Sequence, residues 1–279
     1  MKVAVTGATG FVGGHVVAAL ARRPDVEVVA LVRRPDAALP PGVGRVPFDL
    51  AEAGADAFER AGRPDALVHL AWGGLPNYRS LHHFERELPI QYAFLKRMVE
   101  GGLGAMLVAG TCYEYGMVDG ELHEAMPPAP ANPYAYAKAA LLRQLVFLRT
   151  TIPFALTWGR LFYMHGPGQA SGSIFPLLQA AIDRGDEAFP MSGGEQLRDY
   201  LPVERVADHL AALAGLDAGV VNVSSGAPVS VRSLVERWAA ERGSPIRLDR
   251  GRFRYPDHEP MAFWGSAAKR RALLGPDPG

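Results

Sequence analysis

A tyrosine and a lysine four residues apart form a pair whose side chains could do acid–base chemistry. Tyr134 and Lys138 fall in a segment that Asn132 can cap and Pro133 can start, so the sequence predicts a helix there. Residues i and i+4 of a helix share one face, about 6 Å apart along its axis. Because a neighbouring cation favours the phenolate, this pair is typical of a general acid or base. An exposed Tyr–Lys contact without function is the alternative.

A hydroxyl group is expected close to this pair. Thr111 follows an apolar run at 105 to 109, which is predicted to be a β-strand. Open α/β sheets bind their ligands at the carboxyl ends of the strands. A hydroxyl there can hydrogen-bond a substrate oxygen beside the tyrosine. We therefore predict a catalytic set of Thr111, Tyr134 and Lys138.

Three glycines follow the first apolar run, at 2 to 6. A strand that stops at Gly7 and a helix that starts near Gly10 bring free backbone N–H groups and the positive end of a helix to one point, which suits a pyrophosphate. The alternative is a tight turn that binds no ligand. The residues predicted to contact a dinucleotide in this loop are Gly7, Thr9, Gly10, Phe11, Val12 and Gly13.

The end of the second predicted strand, 26 to 32, indicates which dinucleotide binds. An acid usually meets the ribose hydroxyl of NAD there, whereas an arginine meets the 2′-phosphate of NADP. Here the strand is followed by Arg33, and no carboxylate occurs before Asp36. We therefore expect NADP(H), with Arg33 on the phosphate, and keep NAD(H) as the alternative. Further cofactor contacts are predicted at Asp49, which could equally cap a helix, and at Leu50, Leu70 and Ala71.

Strand and helix patterns alternate through the first 160 residues. Such alternation predicts an α/β protein with a Rossmann-type, doubly wound parallel sheet that has helices on both faces. The pattern becomes irregular after residue 161. We expect a dinucleotide-binding domain at 1–160, to which 200–216 returns, and a smaller substrate-binding lobe at 161–279. The apolar runs lie at 2–6, 26–32, 45–48, 66–71 and 105–109, and helical patterns at 51–62, 84–100 and 133–149.

Composition excludes several classes of function. Lys and Arg total 29, as do Asp and Glu, so no net charge attracts nucleic acid or an anionic membrane. A single cysteine excludes a disulfide framework and a multi-cysteine metal site. No apolar run approaches the roughly 18 residues of a membrane helix, and the chain opens without a signal-peptide pattern. We expect a cytoplasmic protein with no metal and with neither nucleic-acid nor membrane partners.

Together the motifs resemble the extended short-chain dehydrogenase/reductases of the NAD-dependent epimerase/dehydratase group. Gly7-x-x-Gly10-x-x-Gly13 resembles the cofactor loop of that family, and Thr111 with Tyr134-x-x-x-Lys138 resembles its catalytic Ser/Thr–Tyr–Lys triad. The resemblance implies that Lys138 also bonds the nicotinamide ribose. It implies further that Arg198, in Arg-Asp-Tyr, helps to hold the nucleotide of a nucleotide-sugar substrate. The matches extend to about residue 240 and include 159–161, 166–168, 198–203 and 222–226.

Several residues differ from the motifs of particular enzymes in this family, and these differences exclude some of the family's activities. In the 4,6-dehydratases of this family the triad threonine is followed by Asp and Glu. Here Thr111 is followed by Cys112 and Tyr113, so the carboxyl pair for water elimination is absent. Carbon-3/carbon-5 epimerases carry a cysteine at the position of Tyr113, and we interpret Cys112 as a buried apolar residue. Many members of the family have Asn in the strand that leads to the Gly-Pro turn, and this chain has Tyr163 there. The chain looks most similar to reductases of NDP-4-keto-6-deoxyhexoses (fucose, 6-deoxytalose or abequose type), with substrate contacts at Thr111, Cys112, Tyr113, Tyr163 and Arg198.

Three functions are weighed. In the favoured one, the protein reduces the C4 ketone of such a sugar with NADPH, while Tyr134 protonates the alkoxide and Thr111 orients the carbonyl. A C4 epimerase that retains NAD would use the same triad. A non-catalytic dinucleotide-sensing protein would not need the triad, so Thr111, Tyr134 and Lys138 count against it.

The resemblance also implies a homodimer, in which the helices at 84–100 and 133–149 pair with those of a second subunit in a four-helix bundle. Apolar residues such as Tyr136, Leu142 and Val146 suggest surface for that contact. The alternative is that both helices bury their apolar residues within one subunit. We interpret His82 and His83 as solvated or capping, because their spacing does not match a zinc helix.

Overall fold

The structure, a computed structural model, describes residues 1–255, 257 and 259–277. The strands are β1 Lys2–Thr6, β2 Glu27–Val32, β3 Gly44–Pro47, β4 Ala66–His69, β5 Ala105–Thr111, β6 Gly120–Leu122, β7 Ala155–Leu161, β8 Tyr163–His165, β9 Ala188–Pro190, β10 Leu197–Arg198, β11 Tyr200–Pro202, β12 Gly219–Val223, β13 Val229–Ser230, β14 Arg247–Asp249 and β15 Phe263–Gly265. The helices are α1 Phe11–Ala21, α2 Ala57–Arg60, α3 Leu88–Glu100, α4 Pro133–Arg149, α5 Ile174–Arg184, α6 Val203–Leu213, α7 Val231–Glu241 and α8 Ala268–Leu274.

Seven strands form one parallel sheet in the order β12-β7-β5-β4-β1-β2-β3. The chain moves outward from β1 to β3, and then crosses to the other side of β1 to form β4. The strand order therefore reverses beside β1, and ligands of doubly wound sheets bind outside the carboxyl ends of the strands at such a point. This sheet confirms the predicted α/β class with a Rossmann-type fold.

Two apolar layers cover the faces of the sheet. Alternate residues of a strand point to opposite faces, so Val3 and Val5 join one layer and Ala4 the other. The first layer contains α1 and α6, whose buried residues include Val16, Val17, Leu20, Val206 and Leu210. The second contains α3 and α4, whose buried residues include Phe94, Leu95, Met98, Leu141 and Leu145.

Local signals predicted some of these helices better than others. α4 spans 133–149 as predicted, and the Asn132 side chain accepts a hydrogen bond from the Ala135 N–H. The predicted helix at 84–100 is divided into a π-helical turn, His83–Glu87, and α3. The predicted helix at 51–62 is wrong: the backbone becomes extended at Ala53, leaving a 3-10 turn at Leu50–Glu52 and the short α2.

The C-terminal third contributes to both parts of the molecule. Residues of α5, β9 and α7 form a separate apolar cluster that includes Leu178, Phe189 and Trp238. By contrast, α6 packs in the same layer as α1, and β12 pairs with β7 at the edge of the main sheet. The division into 1–160 and 161–279 stays a prediction. Within the described ranges, no helix combines the length and the apolarity needed to cross a bilayer.

Candidate active site

A cavity of about 410 Å³ opens at the carboxyl ends of β1, β2 and β4, where the strand order reverses. Its position is the one expected for a dinucleotide. Its wall also contains Trp72, Arg86 and Glu87, which the sequence did not single out. The predicted cofactor residues in its wall are Gly7, Thr9, Gly10, Arg33, Asp49, Leu50, Leu70 and Ala71.

The glycine loop is built around close backbone contacts. Gly7 has φ +66°, and a Cβ on it would lie 2.8 Å from the Ala71 nitrogen. A Cβ on Gly13 would lie 1.9 Å from the Gly7 carbonyl oxygen, so Gly13 lets α1 pack against the loop. Gly10 precedes α1 and gives it no side-chain cap. The first N–H groups of this helix are thus free to meet a phosphate, and the loop fits a pyrophosphate.

The remaining predicted residues of this loop lie outside the wall of the cavity. Val12 packs against the apolar layer of α1, and the Phe11 ring contacts the His15 ring edge to face at 6.1 Å. Both residues stand at the start of α1, so any contact with a pyrophosphate would come from their backbone N–H groups. That contact stays a prediction.

The second strand ends where the sequence predicted. β2 finishes at Val32, so Arg33 is the first residue beyond it, and its exposed side chain lines the cavity. Asp36 lies four residues beyond the strand end. Asp49 caps the 3-10 turn by accepting a hydrogen bond from the Ala51 N–H at 2.9 Å, which is the alternative considered for it, and it also lines the cavity.

The three predicted catalytic residues come together. Thr111 ends β5, and Tyr134 and Lys138 lie in the first two turns of α4; all three are buried. The Thr111 hydroxyl lies beside the Tyr134 phenol. The Lys138 ammonium donates a hydrogen bond to the Ala109 carbonyl at 2.9 Å and lies 5.9 Å from the centre of the Tyr134 ring. The arrangement places a hydroxyl, a phenol and an amine in one enclosed site.

Burial dominates the protonation of these groups. It raises the pKa of the Tyr134 phenol well above its usual value, and the neighbouring Thr111 side chain only partly opposes this. Burial also lowers the pKa of Lys138 to about 7, against the attraction of the Glu114 and Glu87 carboxylates. Tyr134 therefore carries its proton at neutral pH and is ready to donate it.

Two aromatic side chains that the sequence did not identify enclose the triad. The Trp72 ring centre lies 3.9 Å from the Lys138 ammonium, and Trp72 packs edge to face on Tyr134. The indole N–H donates to His83 Nδ1 at 3.1 Å, and His83 Nε2 lies 2.8 Å from the Asn77 carbonyl. His83 therefore carries its proton on Nε2. The interpretation of His83 as solvated or capping is wrong, because the π-helical turn buries it.

A buried carboxylate holds the turn that follows Thr111. Glu114 accepts hydrogen bonds from the Thr111 N–H at 2.9 Å and from the Trp158 indole at 3.0 Å, and it pairs with Arg160 at 2.8 Å. With Thr111 it forms a capping box on the 3-10 turn Cys112–Tyr115. The spacing Thr-x-x-Glu is the sequence signal that could have identified Glu114.

Two of the predicted substrate residues, Tyr163 and Arg198, line a second cavity of about 320 Å³, together with Glu259. Thr111, Cys112 and Tyr113 are not part of its described wall. The Tyr113 and Tyr163 hydroxyls are 3.2 Å apart, and the Tyr113 hydroxyl donates to Glu259 Oε1 at 2.5 Å. Cys112 is buried below them, and burial raises the pKa of its thiol. The cysteine thus behaves as an apolar residue. Glu259 was not predicted, since nothing near it in sequence marks it.

No group of three potential metal ligands was found among the residues that the structure describes.

Comparison with known proteins agrees with this geometry. Over 95% of its length the chain is 30% identical to dTDP-6-deoxy-L-talose 4-dehydrogenase (NAD(+)) of Aggregatibacter actinomycetemcomitans, all of which is covered. It is 26% identical to a UDP-glucose 4-epimerase of Streptococcus mutans, over 99% of this chain and 91% of that protein. Among solved structures, MoeE5 with UDP-glucose and NAD is 29% identical, with a TM-score of 0.80 over 99% of this chain and 92% of that one. MoeE5 is also solved with UDP-glucuronic acid and NAD.

The profile of the family described as "NAD dependent epimerase/dehydratase family" matches residues 3–224, which span the glycine loop, the triad and β12. The chain therefore belongs to this family and is an NAD(P)-dependent enzyme of the extended short-chain dehydrogenase/reductase type.

Proposed function

We propose that the protein reduces the C4 ketone of an NDP-4-keto-6-deoxyhexose. The observation that carries the proposal is the buried Tyr134 phenol, whose raised pKa keeps it protonated at neutral pH beside Thr111. A ketone that accepts a hydride becomes an alkoxide and needs a proton from such a group. The similarity to a dTDP-6-deoxy-L-talose 4-dehydrogenase supports this class of sugar.

In the proposed mechanism, Thr111 donates a hydrogen bond to the carbonyl oxygen and holds it near Tyr134. Tyr134 then gives its proton to that oxygen as negative charge develops on it. The positive charge of Lys138, one helical turn further along α4, stabilises the phenolate that this step leaves, and Lys138 is the expected partner of the nicotinamide ribose. The phenolate takes up a proton from solvent after the product leaves. The bound NAD(P)H supplies the hydride. Trp72 and Tyr78, which pack on the Tyr134 ring, exclude water from the phenol.

The test is oxidation of NADPH and NADH in the presence of dTDP-, GDP-, CDP- and UDP-4-keto-6-deoxyhexoses. We expect turnover with one nucleotide series, with one NAD(P)H consumed per sugar reduced. Absence of turnover with all four series, by protein that binds the cofactor, would contradict the proposal.

A C4 epimerase is the second candidate, because the chain is also similar to a UDP-glucose 4-epimerase and the same triad would serve it. An epimerase must retain its cofactor through an oxidation and a reduction. Purified protein that carries stoichiometric NAD and interconverts two sugars without net consumption of cofactor would favour this function over the reductase.

Three further properties are proposed with the function. We propose NADP(H) as the preferred cofactor, supported by Arg33 at the end of β2. We propose a homodimer through α3 and α4, supported by apolar side chains of α4 that stay exposed: Tyr136 is 54% exposed and Phe147 is 58% exposed. The cytoplasmic location expected from the sequence is proposed alongside them.

A further inference from the structure

The Lys138 ammonium is held on two sides by uncharged groups. Its Nζ donates to the Ala109 carbonyl at 2.9 Å and lies 3.9 Å from the centre of the Trp72 ring. The two carboxylates whose charge attracts it, Glu114 and Glu87, hydrogen-bond other groups. An ammonium group has three N–H donors, so this arrangement leaves donor capacity for a further partner.

The Trp72 ring is itself held in a fixed orientation. Its indole N–H donates to His83 Nδ1 at 3.1 Å, and His83 is fully buried. The next residue, Gly73, donates its N–H to Glu87 Oε2 at 2.9 Å. A Cβ on Gly73 would lie 2.6 Å from Glu87 Oε1, so a larger residue there would push the Glu87 side chain away. The ring is therefore restrained through its own N–H and through the backbone beside it.

Trp72 contacts both the first cavity and the amine of the triad. Trp72 is half-buried in the cavity wall, whereas Lys138 is 2% exposed. The face of an indole attracts a cation more strongly than the other aromatic side chains do, and the attraction grows where water is excluded. The ring thus replaces part of the hydration that Lys138 loses on burial, and it limits the positions that the ammonium can take.

We propose that Trp72 is a positioning residue for Lys138, whose indole face fixes the ammonium group so that it can hydrogen-bond the nicotinamide ribose of the cofactor. The inference rests on the proposed function, which gives Lys138 that partner. A lysine side chain that is not held in place must be ordered when the cofactor binds, and this ordering reduces the affinity. Trp72 orders the amine before the cofactor arrives.

The test is the Kd of NADPH and of NADH, each titrated by the fluorescence of the reduced nicotinamide. We expect Trp72→Leu to raise both Kd values by about 5- to 10-fold, within the range that the ordering of one long side chain costs. The factor should be the same for both, because the two cofactors share their nicotinamide half. ADP has the adenosine and both phosphates but no nicotinamide ribose, so its Kd, measured by displacement of the reduced cofactor, should change less than about twofold.

A second set of variants separates the positioning of Lys138 from a direct contact between Trp72 and the cofactor. In a Lys138→Met background there is no ammonium to hold, so Trp72→Leu should then change the Kd of the reduced cofactor by less than about twofold. Trp72→Phe keeps an aromatic face but lacks the indole N–H, and should recover part of the affinity. Phe48→Leu is the matched control: Phe48 also lines the first cavity but packs on Phe94, so its effect should be equal in both backgrounds.

An unchanged Kd in Trp72→Leu overturns the inference. So does an equal loss in the wild-type and Lys138→Met backgrounds, or an equal loss for ADP, because either result makes Trp72 only a part of the cavity wall. Trp72→Phe protein that binds as weakly as Trp72→Leu assigns the effect to the indole N–H and also overturns it.

A variant that does not fold leaves the inference testable. Trp72→Met fills more of the space than Leu, has no ring face and is judged by the same ratios. Protein that binds the reduced cofactor but reduces no keto sugar contradicts the proposed function, while the Kd values still decide the role of Trp72.

Discussion

Tyr134 is a phenol that the protein keeps neutral. Its ring is enclosed by Trp72, Tyr78 and His83, and burial raises its pKa above the usual value. A reductase needs a proton donor at this point, and a neutral phenol is one. The sequence predicted this residue from its spacing to Lys138, although the expected effect of the lysine on the phenol is smaller here than the effect of burial.

Replacing Tyr134 with Phe removes the transferable proton and little else. We expect turnover to fall about 10²- to 10⁴-fold, which is typical for loss of a general acid, while the Kd of the cofactor stays close to that of the wild type. Steady-state kinetics and cofactor titration measure the two effects. Turnover near the wild-type rate would remove Tyr134 from the mechanism.

The lowered pKa of Lys138 makes the stability of the folded protein depend on pH. Its pKa is about 7 in the folded protein against 10.5 for an ordinary lysine, so between these values the unfolded chain binds a proton that the folded chain does not. The free energy of unfolding therefore rises with pH across this window, by at most about 1.4 kcal/mol per pH unit. Below pH 7 both states are protonated, and the full penalty of burying the charge remains.

Urea unfolding of wild type and Lys138→Met at pH 7, 8 and 9 tests this coupling. The variant lacks the titrating amine, so the difference in unfolding free energy, wild type minus variant, should increase with pH. Parallel pH profiles for the two proteins would show that Lys138 keeps an ordinary pKa.

Arg33 tests the choice of cofactor. Its side chain lines the first cavity directly beyond β2, and an arginine–phosphate contact contributes roughly 1.5 to 3 kcal/mol. We expect Arg33→Ala to weaken NADPH by about 10- to 150-fold and to leave NADH nearly unchanged. Arg34 is the neighbouring exposed arginine, so Arg34→Ala is the matched control. Equal kcat/KM values of wild type for NADPH and NADH would argue that Arg33 only faces solvent.

At the scale of elements, the turn after β5 holds Thr111 in place. Glu114 closes this turn and neutralises Arg160 inside the protein. Removal of one partner of a buried ion pair leaves the other charge uncompensated, which typically costs about 3 to 5 kcal/mol. Glu114→Gln should therefore lower the free energy of unfolding by an amount of that order. Urea denaturation measures it, with the exposed Glu121→Gln as control, and a change below about 0.5 kcal/mol would contradict it.

Helices and turns that are marked by capping residues, proline or glycine could be predicted from the sequence. Contacts between residues far apart in the chain could not. An asparagine cap and a proline start fixed the position of α4, and glycines marked the turn between β1 and α1. The π-helical turn has no comparable signal, because its i to i+5 bonds do not match the 3.6-residue period. Glu259 and Arg198 are 61 residues apart in the chain, so only the folded structure shows their pairing.

At the scale of the whole molecule, the second apolar layer leaves part of α4 uncovered. Leu145 is buried inside the subunit, but Val146 is 39% exposed and Phe147 is 58% exposed. An exposed apolar helix face of this kind is typical of a protein–protein interface. The prediction of a homodimer therefore has support from this surface, whereas the buried residues of α3 serve its own subunit.

Light scattering tests the dimer at micromolar concentration. We expect a mass of twice the 30.0 kDa chain. Tyr136→Lys combined with Phe147→Lys should shift the protein to monomer, since charges replace apolar contacts, and Leu216→Ser, on another exposed site, should not. A wild-type monomer would show that these side chains simply face water.

The position of β12 and α6 has a consequence for synthesis on the ribosome. The glycine loop is made first, but the layer that covers α1 is completed by Val206 and Leu210 of α6, and the sheet edge by residues 219–223. The nascent chain therefore exposes the apolar face of α1 until about four-fifths of its length has been translated. Contacts between segments so far apart in the chain slow folding, and apolar surface that is exposed meanwhile is prone to aggregate. The helix that follows the cofactor loop is fully covered only after α6 has left the exit tunnel.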